Sequence, residues 1–313
     1  MFLTKKNTTL IIFALLLGVY IFTTNTPKKS KNLNFSPDEA SGIILKNYKT
    51  DIVFSKKNNV WFIQEPFIIP ADKNLLLKIV GTFSNLNIIR VLEENPSQEQ
   101  LEQYGLKNPA IEIKFLLSNG SSYSIYFGNK LELGGGVYAK KSGEQRILFL
   151  NQDFVQMLDN NLDFFRTKQV VDFDIYEVNY IEYKFNDKTI ILAQDNNKWE
   201  IIEGDKRFFT DYGEVISYLN NLSFVDYKSV IADRKDDIKK YKLENPLLDV
   251  VIKTKEKEIG FVIFDFREDE YIIKNKEYDS LYLIDKKQFD NIVLDLEELK
   301  TTEIISEEVL KKS

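Results

Sequence analysis

The residues that most often carry out chemistry in proteins are missing from this sequence. Its 313 residues include no cysteine and no histidine. That removes thiolate nucleophiles, disulfides, a lipid-bearing cysteine, histidine general bases and the usual zinc ligand sets. Lysines and carboxylates remain, and with them all-oxygen Ca²⁺ or Mg²⁺ sites. The carboxylate-rich stretches are Asp172-Phe173-Asp174 and Asp269-Glu270. Neither offers ligands at loop spacing with the glycine turn that a calcium loop needs. Gly134-Gly135-Gly136 has the composition of a phosphate loop, but Val137-Tyr138-Ala139 follow it, which is a strand pattern. A nucleotide loop needs Gly-Lys-Ser/Thr opening a helix at that point, so the glycines read as a hairpin loop. The expectation is a non-enzyme with no catalytic, cofactor-binding or metal site.

Four aromatic residues are the candidates for a binding or a structural role: Trp61, Tyr104, Trp199 and Tyr241. As a site, they would form an aromatic surface for a glycan or peptide. As structure, they are core or joint residues kept because a unit is repeated. The second reading fits their frame. Asn58-Asn59-Val60-Trp61-Phe62-Ile63 recurs as Asn196-Asn197-Lys198-Trp199-Glu200-Ile201, and these are the chain's 2 tryptophans. Ile52-Val53-Phe54 lies over Ile190-Ile191-Leu192 without a gap. Tyr104-Gly105-Leu106-Lys107-Asn108-Pro109 recurs as Tyr241-Lys242-Leu243-Glu244-Asn245-Pro246, and Phe83-Ser84-Asn85-Leu86 is aligned with Leu219-Asn220-Asn221-Leu222. The period, about 137 residues, is too long for a solenoid, so each copy is expected to fold as its own unit.

The elements that position these residues follow the same order in both copies. Two strands come first, Thr50–Lys56 and Val60–Gln64, joined by a turn at Asn58-Asn59. Their counterparts are Thr189–Gln194 and Lys198–Ile202. A helix over 73–86 follows, capped by Asp72, with Leu76, Ile79, Val80 and Phe83 at helical spacing. Asp211 and Glu214 predict a capping box in the second copy. A short helix over 98–103 is capped by Ser97 and ends before Gly105; Lys242 replaces that glycine, predicting a turn that differs. Four strands then run through 111–117, 122–127, 136–141 and 146–150, with 248–254, 259–264, 270–274 and 281–284 in copy two. Asn119-Gly120 predicts a tight hairpin. Helices over 152–160 and 286–294 close the copies. The fold class is α+β: an N-terminal membrane helix, then two tandem copies of an α+β repeat with mainly antiparallel sheets.

Lys5 and Lys6 precede an apolar run from Leu10 to Phe22, the export pattern. No A-x-A-like cleavage site follows, which predicts an uncleaved anchor over residues 1–24 near the lower length limit for a span. Lysines flank both sides, so orientation rests on export logic, which puts the C-terminal part outside the cytoplasmic membrane. Residues 25–37 read as a linker, 38–174 as repeat 1, 175–296 as repeat 2 and 297–313 as a charged tail. A hydrophobic fraction of 43% supports packed cores, and a net charge of −6 argues against a nucleic-acid partner.

The stretch from Trp61 through Pro70-Ala71-Asp72 to Tyr104-Gly105-Leu106 and Pro109 resembles the bacterial domain-of-unknown-function 4340 family. The resemblance covers nearly the whole chain. Copy two departs from it, with Phe209-Thr210-Asp211 in place of Pro-Ala-Asp and Lys242 in the turn. It implies a short N-terminal membrane segment and no established catalytic residues. It also implies company with ABC-type transporter parts and gliding-motility-like auxiliary proteins. The expectation is a membrane-anchored extracytoplasmic accessory or scaffold protein, with ABC-type transporter subunits as candidate partners. The alternative is a binding module for cell-wall glycan or another surface ligand.

Overall fold

The computed structural model describes residues 35–131, 135–195, 198–295 and 299–301. The expected membrane segment lies outside them, as do most of the linker and residues 302–313 of the tail. Among the described residues no helix is long and apolar enough to cross a membrane.

The first half runs β1 (Ala40–Lys46), β2 (Asp51–Lys57), β3 (Val60–Glu65), β4 (Ile69–Pro70), α1 (Lys73–Ser84), β5 (Ile88–Glu93), α2 (Gln98–Gln103), β6 (Ile111–Leu117), β7 (Ser122–Lys130), β8 (Gly136–Lys141), β9 (Ile147–Asn151) and α3 (Asp153–Leu158). The second half runs β10 (Val178–Phe185), β11 (Lys188–Asp195), β12 (Lys198–Glu203), β13 (Lys206–Phe209), α4 (Tyr212–Ser223), β14 (Ser229–Ala232), α5 (Lys235–Ile238), β15 (Leu248–Thr254), β16 (Glu258–Arg267), β17 (Glu270–Asn275), β18 (Leu281–Asp285) and α6 (Lys286–Ile292). The described strands form two antiparallel sheets of nine. Their orders are β4-β3-β2-β1-β6-β7-β8-β9-β5 and β13-β12-β11-β10-β15-β16-β17-β18-β14, the same order twice.

The sheets exceed the sequence expectation: β1, β4 and β5, with their counterparts β10, β13 and β14, are strands it did not include. Each copy begins one strand earlier than expected. β1 pairs with β6 through Ile43↔Phe115, and β10 pairs with β15 through Ile181↔Ile252, so the first strand of each half sits mid-sheet. Gly42-Ile43-Ile44-Leu45 of β1 is an apolar run without the alternation that marks a strand in sequence, although Ile43 and Leu45 are buried and Ile44 is half-buried. The helices also align differently. α1 and α4 place Ser84 over Ser223, and each Ser Oγ donates to the carbonyl three residues back, Gly81 at 3.0 Å and Asn220 at 2.8 Å. Phe83 therefore corresponds to Leu222 and Asn87 to Asp226. The edge pairs Arg90↔Phe149 and Ser229↔Leu283 give the same alignment.

The second sheet is covered on both faces. Phe261, Ile263, Ile273 and Ile284 enter the main core with Val215, Leu219 and Leu222 of α4. Their neighbours Phe264, Ile272 and Leu281 point the other way, into a smaller cluster with Ile238 and Tyr241. β16, β17 and β18 thus read as nearly continuous apolar runs.

Local chemistry sets the turns and caps. Asn58 and Asn59 both take positive φ, the geometry of a tight hairpin, and Asn186-Asp187 does the same between β10 and β11. At Asn119-Gly120 only Gly120 has positive φ, and Asn119 Oδ1 instead accepts from Ser121 N. Asp72 caps α1 by accepting from Leu75 N. Asp211 caps α4 by accepting from Gly213 N at 2.7 Å in place of the expected capping box. The box forms at Ser97 and Gln100.

The turn expected to differ between copies does so at Asn245, which has φ 54° where Asn108 has no positive φ, but the glycine position keeps its left-handed conformation. Gly105 has φ 71° and Lys242 has φ 45°, both left-handed. A lysine there carries a strain of about 1 kcal/mol that glycine lacks. Lys242→Gly is therefore expected to raise stability by roughly 0.5–1 kcal/mol, after the glycine's larger chain entropy is counted. A urea titration of the two proteins checks this; an unchanged or lower midpoint refutes the strain.

By compactness the chain divides into residues up to Tyr48 with Leu77–Asp159, and Lys49–Leu76 with Asn160 onward. The second unit gains the β2–β4 hairpins because the segment after α3 is bonded to them. Asp72 N donates to Phe165 O at 2.9 Å, Thr167 N donates to Pro70 O at 3.3 Å, and Ala71 bridges Arg166. Phe54 and Phe165 meet edge to face at 5.6 Å. The same strap recurs at the C-terminus. Thr301 donates to Phe209 O from N at 3.0 Å and from Oγ at 2.8 Å, where Phe209 is the counterpart of Pro70. Leu299 is buried in the second core. The described part of the expected charged tail is therefore bound to the sheet.

Candidate functional site

Trp61 and Trp199 sit second in β3 and β12 and are 1% and 2% exposed. Backbone bonds fix each against the segment leading into its helix: Ala71 N donates to Trp61 O, and Thr210 N to Trp199 O. Both indole Nε1 atoms are buried without a hydrogen-bond partner. Tyr104 packs with Leu101, Leu106 and Ile147 and meets Tyr138 edge to face at 4.5 Å. Tyr241 packs in the cluster around Phe264 and Ile272, and its hydroxyl lies 3.5 Å from Ile231 O. In the second sheet, Trp199 and Tyr241 thus belong to clusters on opposite faces. The structure does not gather the four aromatics into one surface.

What sequence reasoning missed is a buried charge. Arg166, on the segment between the repeats, is 3% exposed. Its Nη1 and Nη2 donate to the two oxygens of Asp233 at 2.8 and 2.6 Å, a bidentate fork. Nε lies 2.8 Å from Asp163 Oδ1, close enough to pair but not aligned to donate. Ser280 Oγ donates to Asp233 Oδ1 at 2.9 Å, and the Phe67 ring lies 5.3 Å from the guanidinium carbon. Burial works against the charged guanidinium, but Asp233 and Asp163 more than offset it and hold its pKa above the ordinary value. The arrangement satisfies a buried charge. Lys300 is the counterpart of Arg166, paired with Glu203 at 2.9 Å.

Several tyrosines are held protonated well beyond their ordinary range. Burial pushes Tyr183 up to about 12, against a hydrogen bond that its oxygen accepts from Leu294 N. Burial, then the charge of Glu277, pushes Tyr278 up to about 12. Burial also raises Tyr218, whose hydroxyl donates to Ile292 O. Because folding raises these pKa values above the unfolded value near 10, their stabilisation is complete below about pH 10. It is lost as pH rises from about 10 to 12. Guanidinium midpoints should fall steeply between about pH 10 and about pH 12, and the fall should be shallower in Tyr183→Phe. A flat profile over that window refutes it.

Of the carboxylates singled out in the sequence, Asp174 Oδ1 accepts from Tyr176 N, while Asp172 takes part through its backbone carbonyl, which accepts from Lys257 Nζ. Asp269 occupies a left-handed turn position before Glu270, which pairs with Arg267. Among the described residues no group of three or more carboxylates could hold a metal. A shallow pocket of about 290 Å³ is lined by Lys198, Trp199, Phe209, Thr210 and Tyr212. Phe209 and Tyr212 are its exposed aromatic walls.

The architecture is therefore a duplicated antiparallel sheet whose ionic centre is structural. The chain belongs to the family described as "Domain of unknown function (DUF4340)", which matches residues 61–246, more than half of its length. The match begins at Trp61 and ends at Pro246, so it takes in most of the first repeat and the first half of the second. No curated protein and no solved structure matches the chain.

Proposed function

We propose that this chain is a non-enzymatic, membrane-anchored extracytoplasmic accessory or scaffold protein, with an ABC-type transport complex as its candidate partner. The observation that carries this reading is the duplication: the same nine-strand order occurs twice, offering two related surfaces. The basic-then-apolar N-terminal pattern supports anchoring. Arg166 and the buried tyrosines, whose pKa values are raised, are accounted for by packing and pairing. Function in such proteins resides in surfaces, not in the fold itself.

Affinity purification of the tagged full chain from gently solubilised membranes tests this directly. Transporter subunits are expected to co-purify, and deletion of residues 1–24 should release the remainder from membranes. Recovery as a lone monomer, with no transporter subunit, overturns the partner assignment. The rival glycan-binding reading expects an exposed cleft lined by Tyr or Trp. Both indoles are buried, which weighs against it, while the pocket walled by Phe209 and Tyr212 is one aromatic-lined cavity left to it.

A further inference from the structure

The repeats share one joint, where the Trp strand meets the start of the helix, and they build it from different residues. Backbone bonds fix the common frame: Ala71 N donates to Trp61 O, and Thr210 N to Trp199 O. Phe62 stands opposite Pro70 and Glu200 opposite Phe209, while Asp72 and Asp211 both cap the helix. Val60, Pro70, Ala71 and Lys73 therefore correspond to Lys198, Phe209, Thr210 and Tyr212. The tryptophan is kept, and the four residues around it are exchanged. Those four, with Trp199, line the pocket of about 290 Å³.

Each exchange adds something that the joint itself does not use. Phe209 and Tyr212 are 37% and 50% exposed, so two aromatic walls stand at the surface where the first copy has a proline and a lysine. The strap holds Phe209 through its backbone carbonyl, which accepts from Thr301 N and Oγ. Thr210 Oγ1 is buried without a hydrogen-bond partner, at the position where Ala71 carries no polar atom. A buried hydroxyl left unpaired is destabilising, and an alanine avoids that cost. Lys198 Nζ lies 5.7 Å from the centroid of the Phe209 ring, which sets a cation beside the aromatic walls. Among the described residues the lining includes no carboxylate. The nearby Asp211 carboxylate is engaged as the helix cap, accepting from Gly213 N.

We propose that this pocket of the second repeat binds a small aromatic carboxylic acid, its ring held by Phe209 and Tyr212 and its carboxylate by the Lys198 ammonium and the Thr210 hydroxyl. A dry cavity of about 150 Å³ holds a benzene ring, so the larger volume here suits one ring with a short acidic substituent. Aromatic walls favour an aromatic ligand in offset or edge-on contact. An ammonium and a hydroxyl beside them give the carboxylate charge-assisted hydrogen bonds. A sugar ring fits this lining less well. Its hydroxyls point outward on all sides and need several polar partners, whereas the lining supplies one ammonium, two hydroxyls and no carboxamide. The site does not depend on a transporter being the partner.

Saturation-transfer NMR on the full-length wild-type chain in lipid nanodiscs, with phenylacetate as the probe, tests the site. The expected result is saturable transfer to the phenylacetate ring protons, with a Kd on the order of 0.1–1 mM for so small a ligand. Phe209→Ala and Tyr212→Ala should each weaken binding by roughly five-fold or more. Lys198→Val and Thr210→Ala install the first copy's residues, which suit the same backbone there. Lys198→Val should weaken phenylacetate by roughly five-fold and leave the weaker binding of benzyl alcohol unchanged. Thr210→Ala should weaken phenylacetate while its thermal midpoint stays at or above that of the wild type, the reverse of what a purely structural hydroxyl would do. Lys73→Ala, at the counterpart of Tyr212 in the first repeat, should bind phenylacetate as the wild type does. No transfer at about 5 mM phenylacetate overturns the proposal. So does wild-type affinity in both Phe209→Ala and Tyr212→Ala, benzyl alcohol binding as tightly as phenylacetate, or N-acetylglucosamine binding in its place.

Discussion

Trp199→Ala should cost about 3–5 kcal/mol, and Trp61→Ala the same, among the largest losses available to a single substitution in this chain. These indoles are the two largest fully buried side chains. Trp199 shares its core with Ile201, Val215, Leu219 and Leu222, so truncation leaves a cavity walled by a sheet and a helix that cannot close over it. Neither Nε1 makes a hydrogen bond in the fold, so the loss is one of packing, and Phe should recover much of it. Thermal unfolding followed by circular dichroism should show the alanine variants melting roughly 10 °C lower, with the phenylalanine variants in between. A Trp61→Ala protein with an unchanged melting temperature would remove that residue from any core role. Equal losses at both positions are also what a true duplication requires.

The tandem fold was legible because duplication amplifies weak signals. A Trp in a short apolar run says little, but the same run after Asn-Asn twice places two equivalent strands. The caps at Asp72, Ser97 and Asp211 were readable for a local reason: a short polar side chain before an apolar helix start satisfies free backbone N–H groups. β4 was not legible, because it is two residues long and exists through bonds to Phe62, Ile63 and the distant strap. β1 was not legible because Ile43-Ile44-Leu45 is a continuous apolar run without alternation. The helix offset is not legible from Asn-Asn-Leu, because it is set by Ser84 and Ser223, each bonded back to its own helix.

The ionic centre was less legible still. Arg166 and Asp233 are 67 residues apart, and nothing near either marks it as buried. The usable signal was comparative: Arg166-Thr167 and Lys300-Thr301 occupy the same place after each repeat.

Asp233→Ala should destabilise the protein by about 3–5 kcal/mol, because it strands a buried guanidinium. Both terminal nitrogens lose their acceptors, Ser280 loses its own, and Asp163 is left as the one carboxylate beside Arg166, half exposed and badly aligned. Removing both partners together should cost far less. An Arg166→Met, Asp233→Leu double variant replaces the pair with apolar volume, and exchanges of that kind are often near neutral. The double-mutant cycle should therefore show coupling of more than about 1.5 kcal/mol. Arg166→Lys should fall between, since an ammonium cannot reproduce the fork, though Lys300 shows that a lysine with one carboxylate suits the same strap. Because the pair is buried, the cost should change little between 50 mM and 500 mM salt, unlike that of a surface pair. Additive single and double variants, or a loss that vanishes at high salt, would make the Arg166–Asp233 contact a surface pair in effect and remove it from the stability of the fold.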